Sequence, residues 1–130
     1  MNLVTDTHAL VWYLTGQARR LSRRAHRAFR DADRGRATVH IPVVILMEVV
    51  LLERRGRIEV AYRELREQLS VRPGLPLEPL LPEDIDEARG LRPLQDPFDC
   101  LIAATARRLG LALITCDESI TETRMVRTYW

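Results

Sequence analysis

Apolar residues recur along this chain in short blocks, separated by glycine, proline and charged residues. Short apolar or β-branched blocks predict strands at 2–5, 37–41, 111–115 and 125–129, with a weaker candidate at 77–80. Longer stretches with apolar residues every three or four positions predict helices at 8–14, 22–34, 43–55, 59–69, 82–89 and 96–108. Strands that alternate with helices predict an α/β fold with a mainly parallel sheet and right-handed crossovers.

Local signals mark the ends of several predicted helices. Ser22 is a typical N-cap residue, and Asp96 followed by proline opens the strongest helix, which Gly110 ends. We expect Pro42 to lie in the first turn of the third helix, where the fixed φ of proline is tolerated. No internal repeat or linker interrupts this order, so we expect one domain over residues 1–130.

The charged residues exclude some chemistries. All 20 basic residues are arginine, and the 18 acids leave a formal net charge of +2. Without lysine, a P-loop phosphate site and Schiff-base catalysis are excluded. Six arginines crowd into residues 19–30: Arg19, Arg20, Arg23, Arg24, Arg27 and Arg30. This run is either a surface for an RNA backbone or a solvated helix face.

Cysteine usage and hydropathy bear on the cellular compartment. Cys100 and Cys116 form neither a disulfide framework nor a CxxC motif, so we expect reduced thiols in a cytoplasmic protein. The first residues lack the basic start and long apolar run of a signal peptide. The strongest apolar stretch, 43–52, contains Glu48 and is about half the roughly 20 residues that a membrane span needs. We therefore expect no association with a membrane.

Three acidic residues stand at or near the predicted ends of strands. Asp6 directly follows the first strand, Asp117 follows the strand at 111–115, and Asp99 begins the helix that precedes that strand. In an open parallel sheet, functional sites form outside the carboxyl ends of the strands. Each acid also has a local alternative, because Asp6 could cap the first helix and Asp117 could belong to a turn. Asp96 could be the N-cap of its helix, with Asp99 in the first turn.

Glu48 is the most informative acid. It lies in the middle of a predicted helix, and the residues three and four positions away are Val44, Ile45, Leu51 and Leu52. A carboxylate on an apolar helix face must pair with arginine, take up a proton or bind a metal, because an unpaired buried charge is very costly. The alternative is that Glu48 lies at the edge of the apolar stripe and reaches Arg55 or water.

Clustered carboxylates would favour a hard divalent cation. Like charges repel one another, so such a cluster is stable at neutral pH mainly with a cation among them. A site made of oxygen ligands suits Mg²⁺ or Mn²⁺. The three histidines lack the spacing of metal ligands, and we interpret them as surface or packing residues: His8, His26 and His40.

Four blocks of the sequence resemble the motifs of PIN-domain proteins, particularly toxins of the VapC type. In chain order they are Asp6-Thr7-His8-Ala9-Leu10-Val11-Trp12, Val44-Ile45-Leu46-Met47-Glu48, Asp96-Pro97-Phe98-Asp99 with the helix that follows, and Leu113-Ile114-Thr115-Cys116-Asp117. Residues 126–130 look like the closing strand. At position 100 this chain has cysteine where the toxin subgroup often has arginine.

The resemblance implies a three-layer α/β/α fold and a ribonuclease that depends on Mg²⁺ or Mn²⁺. It implies an acidic site of Asp6, Glu48, Asp99 and Asp117, with Asp96 as a supporting acid. Expected partners are an RNA substrate and a cognate antitoxin protein, and a homodimer is left open. The alternative is a PIN-like module that binds RNA or protein without cleavage. A phosphohydrolase of the haloacid dehalogenase type would need an acid where His8 stands.

Overall fold

The fold is built from strands and helices that alternate along the chain, in a computed structural model that describes residues 1–58 and 61–130. The strands are β1 (Asn2–Thr5), β2 (Thr38–Pro42), β3 (Leu77–Glu78), β4 (Ala112–Ile114) and β5 (Thr128–Tyr129). The helices are α1 (Thr7–Leu14), α2 (Arg23–Asp33), α3 (Val44–Arg54), α4 (Tyr62–Ser70), α5 (Pro82–Arg89), α6 (Pro97–Leu109) and α7 (Glu118–Thr121). A short 3-10 helix, Ala18–Arg20, joins α1 to α2.

The five strands form one parallel sheet in the order β3-β2-β1-β4-β5. In β1, the consecutive residues Leu3, Val4 and Thr5 are all buried, which requires helices on both faces of the sheet. The predicted three-layer α/β/α architecture with a parallel sheet is therefore confirmed. None of the described helices is long and apolar enough to cross a membrane.

The strand order reverses direction at β1. The connection from β1 leads to β2, on one side of β1. The strand β4 lies on the other side of β1, and its connection leads further away, to β5. Neighbouring crossovers then diverge, which leaves a crevice at the carboxyl ends of β1 and β4. Asp6 follows β1 directly, and Asp117 comes shortly after β4, so both acids lie at this crevice.

The core consists of aliphatic side chains and one phenylalanine packed on the sheet. Leu10 of α1, Phe29 of α2, Ile45 of α3 and Ile102 of α6 are all fully buried.

The predicted start and end of α6 are confirmed, because the Asp96 side chain accepts a bond from an N-terminal amide and Gly110 adopts a φ of 67°. Only glycine adopts that backbone conformation without strain, which explains why the helix ends there.

The prediction for Pro42 is wrong, because this residue ends β2 and does not begin α3. The amides of Val39, Ile41 and Val43 donate to the β3 side of the strand. Pro42, between two of these residues, therefore faces the β1 side, and the pairing of β1 ends at His40. No ladder hydrogen bond is needed there, so a proline without an N–H is tolerated.

Other differences lie at short elements and element ends. The alternative that placed Asp117 in a turn is not what the structure shows, because Asp117 leads into the four-residue helix α7. Neither α7 nor the 3-10 helix was predicted. The predicted start of the fourth helix, Glu59, lies outside the described residues, and α4 begins at Tyr62. The last strand is shorter than predicted, since only Thr128 and Tyr129 pair with β4. Two-residue pairing is too short to leave a periodic signal.

Candidate active site

Five acidic side chains and four other residues line one cavity of about 340 Å³ at the carboxyl ends of β1 and β4. We call it the acid cavity, and its residues are Asp6, Thr7, His8, Trp12, Glu48, Asp96, Asp99, Cys116 and Asp117. The structure thus brings together every acid that the sequence singled out. Their catalytic and metal-binding roles stay predictions.

Asp6 lies at the bottom of the acid cavity, almost fully buried. It is also the N-cap of α1, since its Oδ1 accepts a 2.9 Å hydrogen bond from the amide of Ala9. Burial raises the pKa of Asp6, and the nearby charge of Asp117 adds to the shift, whereas hydrogen bonds from Thr115 and Ala9 oppose it. Capping and membership of the acid cluster are therefore compatible roles of one side chain.

Glu48 extends from α3 into the acid cavity and is half-buried. Its Oε1 accepts a short hydrogen bond from the hydroxyl of Thr7, so neither Arg55 nor water alone accounts for its position. Burial raises the pKa of Glu48, and the charges of Asp96 and Asp6 raise it further. The apolar neighbours of Glu48 predicted a carboxylate that faces the interior, and the structure places it half-buried at the wall of the acid cavity.

Asp99 is influenced by all four other acids of the acid cavity. Burial raises its pKa to about 7, and the charges of Asp96, Asp117, Glu48 and Asp6 contribute in that order. Asp96 holds the start of α6, since its Oδ1 accepts a 2.9 Å bond from the Asp99 amide. The first turn of α6 therefore places two carboxylates at one wall of the cavity.

Asp117 completes the cluster from the loop after β4. Its Oδ1 accepts bonds from the amide and hydroxyl of Ser119, at 2.9 and 2.7 Å, and so caps α7. Its own amide donates to the Thr115 hydroxyl at 3.0 Å. These bonds engage one carboxylate oxygen and leave the other for a further ligand. Asp117 is therefore held in place, and no arginine among the described residues forms an ion pair with it.

The donor set is of the kind that suits a hard divalent cation. The five carboxylates supply only oxygen atoms, and burial together with the charges of the other four raises the pKa of Asp99. A cation among them would reverse that repulsion. Within residues 1–58 and 61–130, no three His, Cys, Asp or Glu side chains are already close enough to hold a metal ion. The carboxylates line the cavity and would have to draw together around an ion.

Five residues of this region were not predicted from the sequence as contributors to the site: His8 and Cys116 line the cavity, and the other three contact the acids or form its wall. Thr7 holds Glu48, Thr115 holds the Asp117 amide, and Trp12 forms part of the cavity wall. Each of these three belongs to a block that carried the family resemblance, but none has a side chain whose type by itself indicates a metal or nuclease site. Position provides the available signal, because Thr7 and Thr115 flank the ends of the two central strands.

The family follows from the fold, the cavity and a direct sequence comparison. The model of the PIN-domain family matches residues 3–125. This chain belongs to the PIN-domain family. No curated protein matches the sequence at the level required for significance.

Solved structures share the fold at low sequence identity. The structure of VapBC2 from Rickettsia felis, bound to a DNA fragment from its promoter, contains a chain that matches with a TM-score of 0.74 and 13% sequence identity, covering 99% of this chain and 98% of that chain. A toxin–antitoxin complex from Klebsiella pneumoniae matches with a TM-score of 0.65 and 22% sequence identity, covering 97% of this chain and 96% of that chain. VapC20 from Mycobacterium tuberculosis, a toxin that cleaves the sarcin–ricin loop, matches with a TM-score of 0.62 and 18% sequence identity. The match covers 93% of this chain and 94% of that chain. At these identities the likeness shows a common fold.

Proposed function

We propose that this chain is an endoribonuclease that depends on Mg²⁺ or Mn²⁺ and acts as the toxin of a toxin–antitoxin pair. The observation that carries the proposal is the convergence of five carboxylates on one cavity at the point where the strand order reverses. Membership of the PIN-domain family supports a nuclease. The similar fold of a toxin that cleaves the sarcin–ricin loop favours RNA as the substrate.

In this proposal, Asp6 and Asp99 are the principal metal ligands. Glu48 and Asp117 complete the site directly or through water, and Asp96 supports it. When bound, the cation would lower the pKa of a bound water and offset negative charge on the scissile phosphate. Burial and the cap of α1 hold Asp6 in place.

The chain's own residues position the acids before any substrate arrives. The Thr7 hydroxyl donates to Glu48, which fixes one carboxylate oxygen and leaves the other for a ligand. Since Thr7 is the first residue of α1, Glu48 on α3 is aligned with Asp6 across two elements. His8 is exposed at the mouth of the cavity, and its positive form would oppose the repulsion between Asp6 and Glu48.

The toxin part of the proposal rests on partners of similar proteins. Two of the solved structures are toxin–antitoxin assemblies. A ribonuclease that harms its own cell must be held inactive, so we propose a cognate antitoxin that covers the acid cavity. An arginine inserted among the carboxylates would supply the missing positive charge. Co-expression with the neighbouring gene should restore growth and copurify a complex.

The test of catalysis is cleavage of single-stranded RNA by purified protein with Mg²⁺ or Mn²⁺, followed by chelation with EDTA. We expect cleavage with metal and none with chelator. Asp86, exposed on α5, provides a matched control, since Asp86→Asn removes one charge outside the cavity and should leave the rate unchanged. Cleavage that persists in excess EDTA would refute the metal mechanism. A protein that binds RNA but never cuts it would support the binding-module alternative.

A further inference from the structure

A second cavity, of about 350 Å³, lies against the acid cavity. We call it the arginine cavity, and the residues of interest in it are His8, Trp12, Gln17, Arg20 and Arg57. His8 and Trp12 line both cavities, so their side chains form the shared wall. An acidic and a basic recess therefore lie side by side, separated by one aromatic ring and one imidazole.

Arg20 lies over the ring of Trp12, with its guanidinium carbon 4.4 Å from the ring centroid. The turn after α1 produces this arrangement. Gly16 adopts a φ of 74°, and the Gln17 amide donates to the Trp12 carbonyl at 2.9 Å, which turns the chain back over the helix. The 3-10 helix then presents Arg20, whose guanidinium donates to the Gln17 side chain at 3.4 Å.

Trp12 is braced from the side and not stacked on another ring. The ring of Trp130 meets it edge-on, with centroids 6.3 Å apart, and the tilted ring of His8 lies 6.0 Å away. Trp12 remains only half-buried. Its ring therefore borders both cavities and contacts the exposed, charged side chain of Arg20, which another planar group could displace.

We propose that the arginine cavity binds the unpaired nucleotide next to the cleaved phosphate, by stacking its base on Trp12 and pairing its phosphate with Arg20 and Arg57. This inference rests on the proposed ribonuclease function. Bases of single-stranded RNA are recognised by stacking on aromatic side chains and arginine planes. Because His8 and Trp12 line both cavities, a phosphate in the acid cavity and the next base in the arginine cavity would lie side by side.

Charge gives a second reason for this assignment. A polyanionic strand is repelled by five carboxylates, and a metal ion offsets that repulsion only at its own position. Arg20 and Arg57 place two positive charges immediately beyond Trp12, where the strand must continue. A purely anionic ligand would not need the tryptophan, and a purely apolar ligand would not need the arginines. A nucleotide uses both.

Fluorescence of Trp12 tests the inference directly. The chain has two tryptophans, so Trp130→Phe leaves Trp12 as the only one. Asp99→Asn is added so that Mg²⁺ can be present while cleavage is suppressed. Titration with a single-stranded RNA tetranucleotide should quench the Trp12 emission in a saturable way. A tetranucleotide with an abasic site next to the central phosphate should bind roughly 10-fold more weakly or worse, because it lacks the stacking base.

Variants locate the contact by a method independent of tryptophan. By fluorescence polarisation of a labelled tetranucleotide, Trp12→Leu and Arg20→Ala should each bind roughly 10-fold more weakly, whereas Trp12→Phe should keep most of the affinity. Arg89→Ala is the matched control, since Arg89 is exposed at the end of α5 and lines neither cavity. If Trp12→Leu does not fold, the Trp12→Phe and Arg20→Ala results decide.

The inference and the proposed function fail in different ways. Equal affinity for intact and abasic tetranucleotides, or binding without any change in Trp12 emission, would overturn the stacking site even if the wild type cleaves RNA. Base-dependent quenching by a wild type that never cleaves RNA would overturn the nuclease proposal and keep the nucleotide site. Quenching by a peptide of the antitoxin but not by RNA would show that the tryptophan recognises protein, and would overturn the inference.

Discussion

The acid cavity and a second group of charged residues differ in one respect, namely whether the chain itself balances the charge. In the second group, which we call the buried ion network, Arg108 of α6 binds Asp84 at 2.5 Å and Glu78 at 3.0 Å. Asp84 is fully buried, and its Oδ2 also accepts a 2.9 Å bond from the Leu81 amide. In the acid cavity, five carboxylates face one another, and the described residues pair none of them with an arginine.

The contrast separates structural from functional use of charge. The bonds to Asp84 and Glu78 raise the pKa of Arg108 and join β3, α5 and α6, so the network stabilises the fold as it stands. In the acid cavity the pKa values of Asp6, Glu48 and Asp99 are all raised, mainly by burial, which means that the ionised carboxylates are destabilised there. A group of charges that lacks its counter-charge is one that a ligand can complete.

The largest effect on stability should come from the buried ion network. Asp84→Ala removes the hydrogen bond from the Leu81 amide at the start of α5 and leaves the Arg108 guanidinium without its buried partner, so we expect a loss of about 3–5 kcal/mol in the free energy of unfolding. Glu83→Gln, exposed beside it on α5, should change stability by less than about 0.5 kcal/mol. Urea unfolding measures both. Similar stabilities for the two variants would mean that the network contributes nothing particular.

Asp99→Asn should lower the rate of RNA cleavage without lowering the stability of the protein. We expect RNA cleavage to fall by about 100- to 1,000-fold, because a principal ligand loses its charge. The metal-free protein should remain at least as stable as wild type, since one of five like charges is gone. A wild-type cleavage rate in this variant would remove Asp99 from the site, whatever its effect on folding.

Glu48→Gln distinguishes a ligand from a packing residue. The substitution keeps volume and the hydrogen bond with Thr7 but removes a charge. Wild type should gain about 1–3 kcal/mol of stability at saturating Mg²⁺, and Glu48→Gln should gain less, together with slower cleavage. The measurement is thermal unfolding with and without Mg²⁺ beside the cleavage rate. Were Glu48→Gln to cleave RNA and respond to Mg²⁺ like wild type, Glu48 would belong to the packing of α3.

The smallest effect is a pH dependence of the metal-free protein. The pKa of Asp99 is raised to about 7 from 3.8, so the folded state holds its proton more tightly than the unfolded chain does. This contribution to stability is therefore lost as pH rises from about 4 to about 7. Unfolding in EDTA should show equal stabilities of wild type and Asp99→Asn near pH 4. Above about pH 7 the variant should be more stable by on the order of 1 kcal/mol, allowing for solvent screening. A difference that does not change with pH would contradict the shift.

Much of the fold was predictable because its signals are local. The strand β1, the helix α6 with its Asp96 cap and Gly110 end, and the alternation of elements all follow from periodicity and capping. The errors occur where the local signal is short or is overridden. Pro42 suits a helix start equally well, and the pairing of β2 with β3, rather than any property of proline, decided its place.

The acids show that a local role and a place in the acid cavity are compatible. Asp6 and Asp96 each cap a helix, as the local alternatives predicted, whereas Asp117 caps α7 where a turn was the alternative; all three also line the acid cavity. A helix N-terminus holds a carboxylate by its backbone amides, which favours a fixed orientation. The capping positions therefore place these side chains without a basic residue, so their charge remains available to a cation.

By itself, the sequence determined the identity of the elements, the acids at their ends and the family resemblance, because each depends on neighbouring residues or on a run of matching motifs. Only the tertiary structure decided which charges meet. Arg108 contacts Asp84 and Glu78 because α5 and α6 pack together. Arg20, one of the six arginines at 19–30, contacts Trp12 because of the turn that follows α1. Which charged side chains come into contact depends on how the chain crosses over the sheet and on the rotamers that packing selects. Neither is encoded within a short window of sequence.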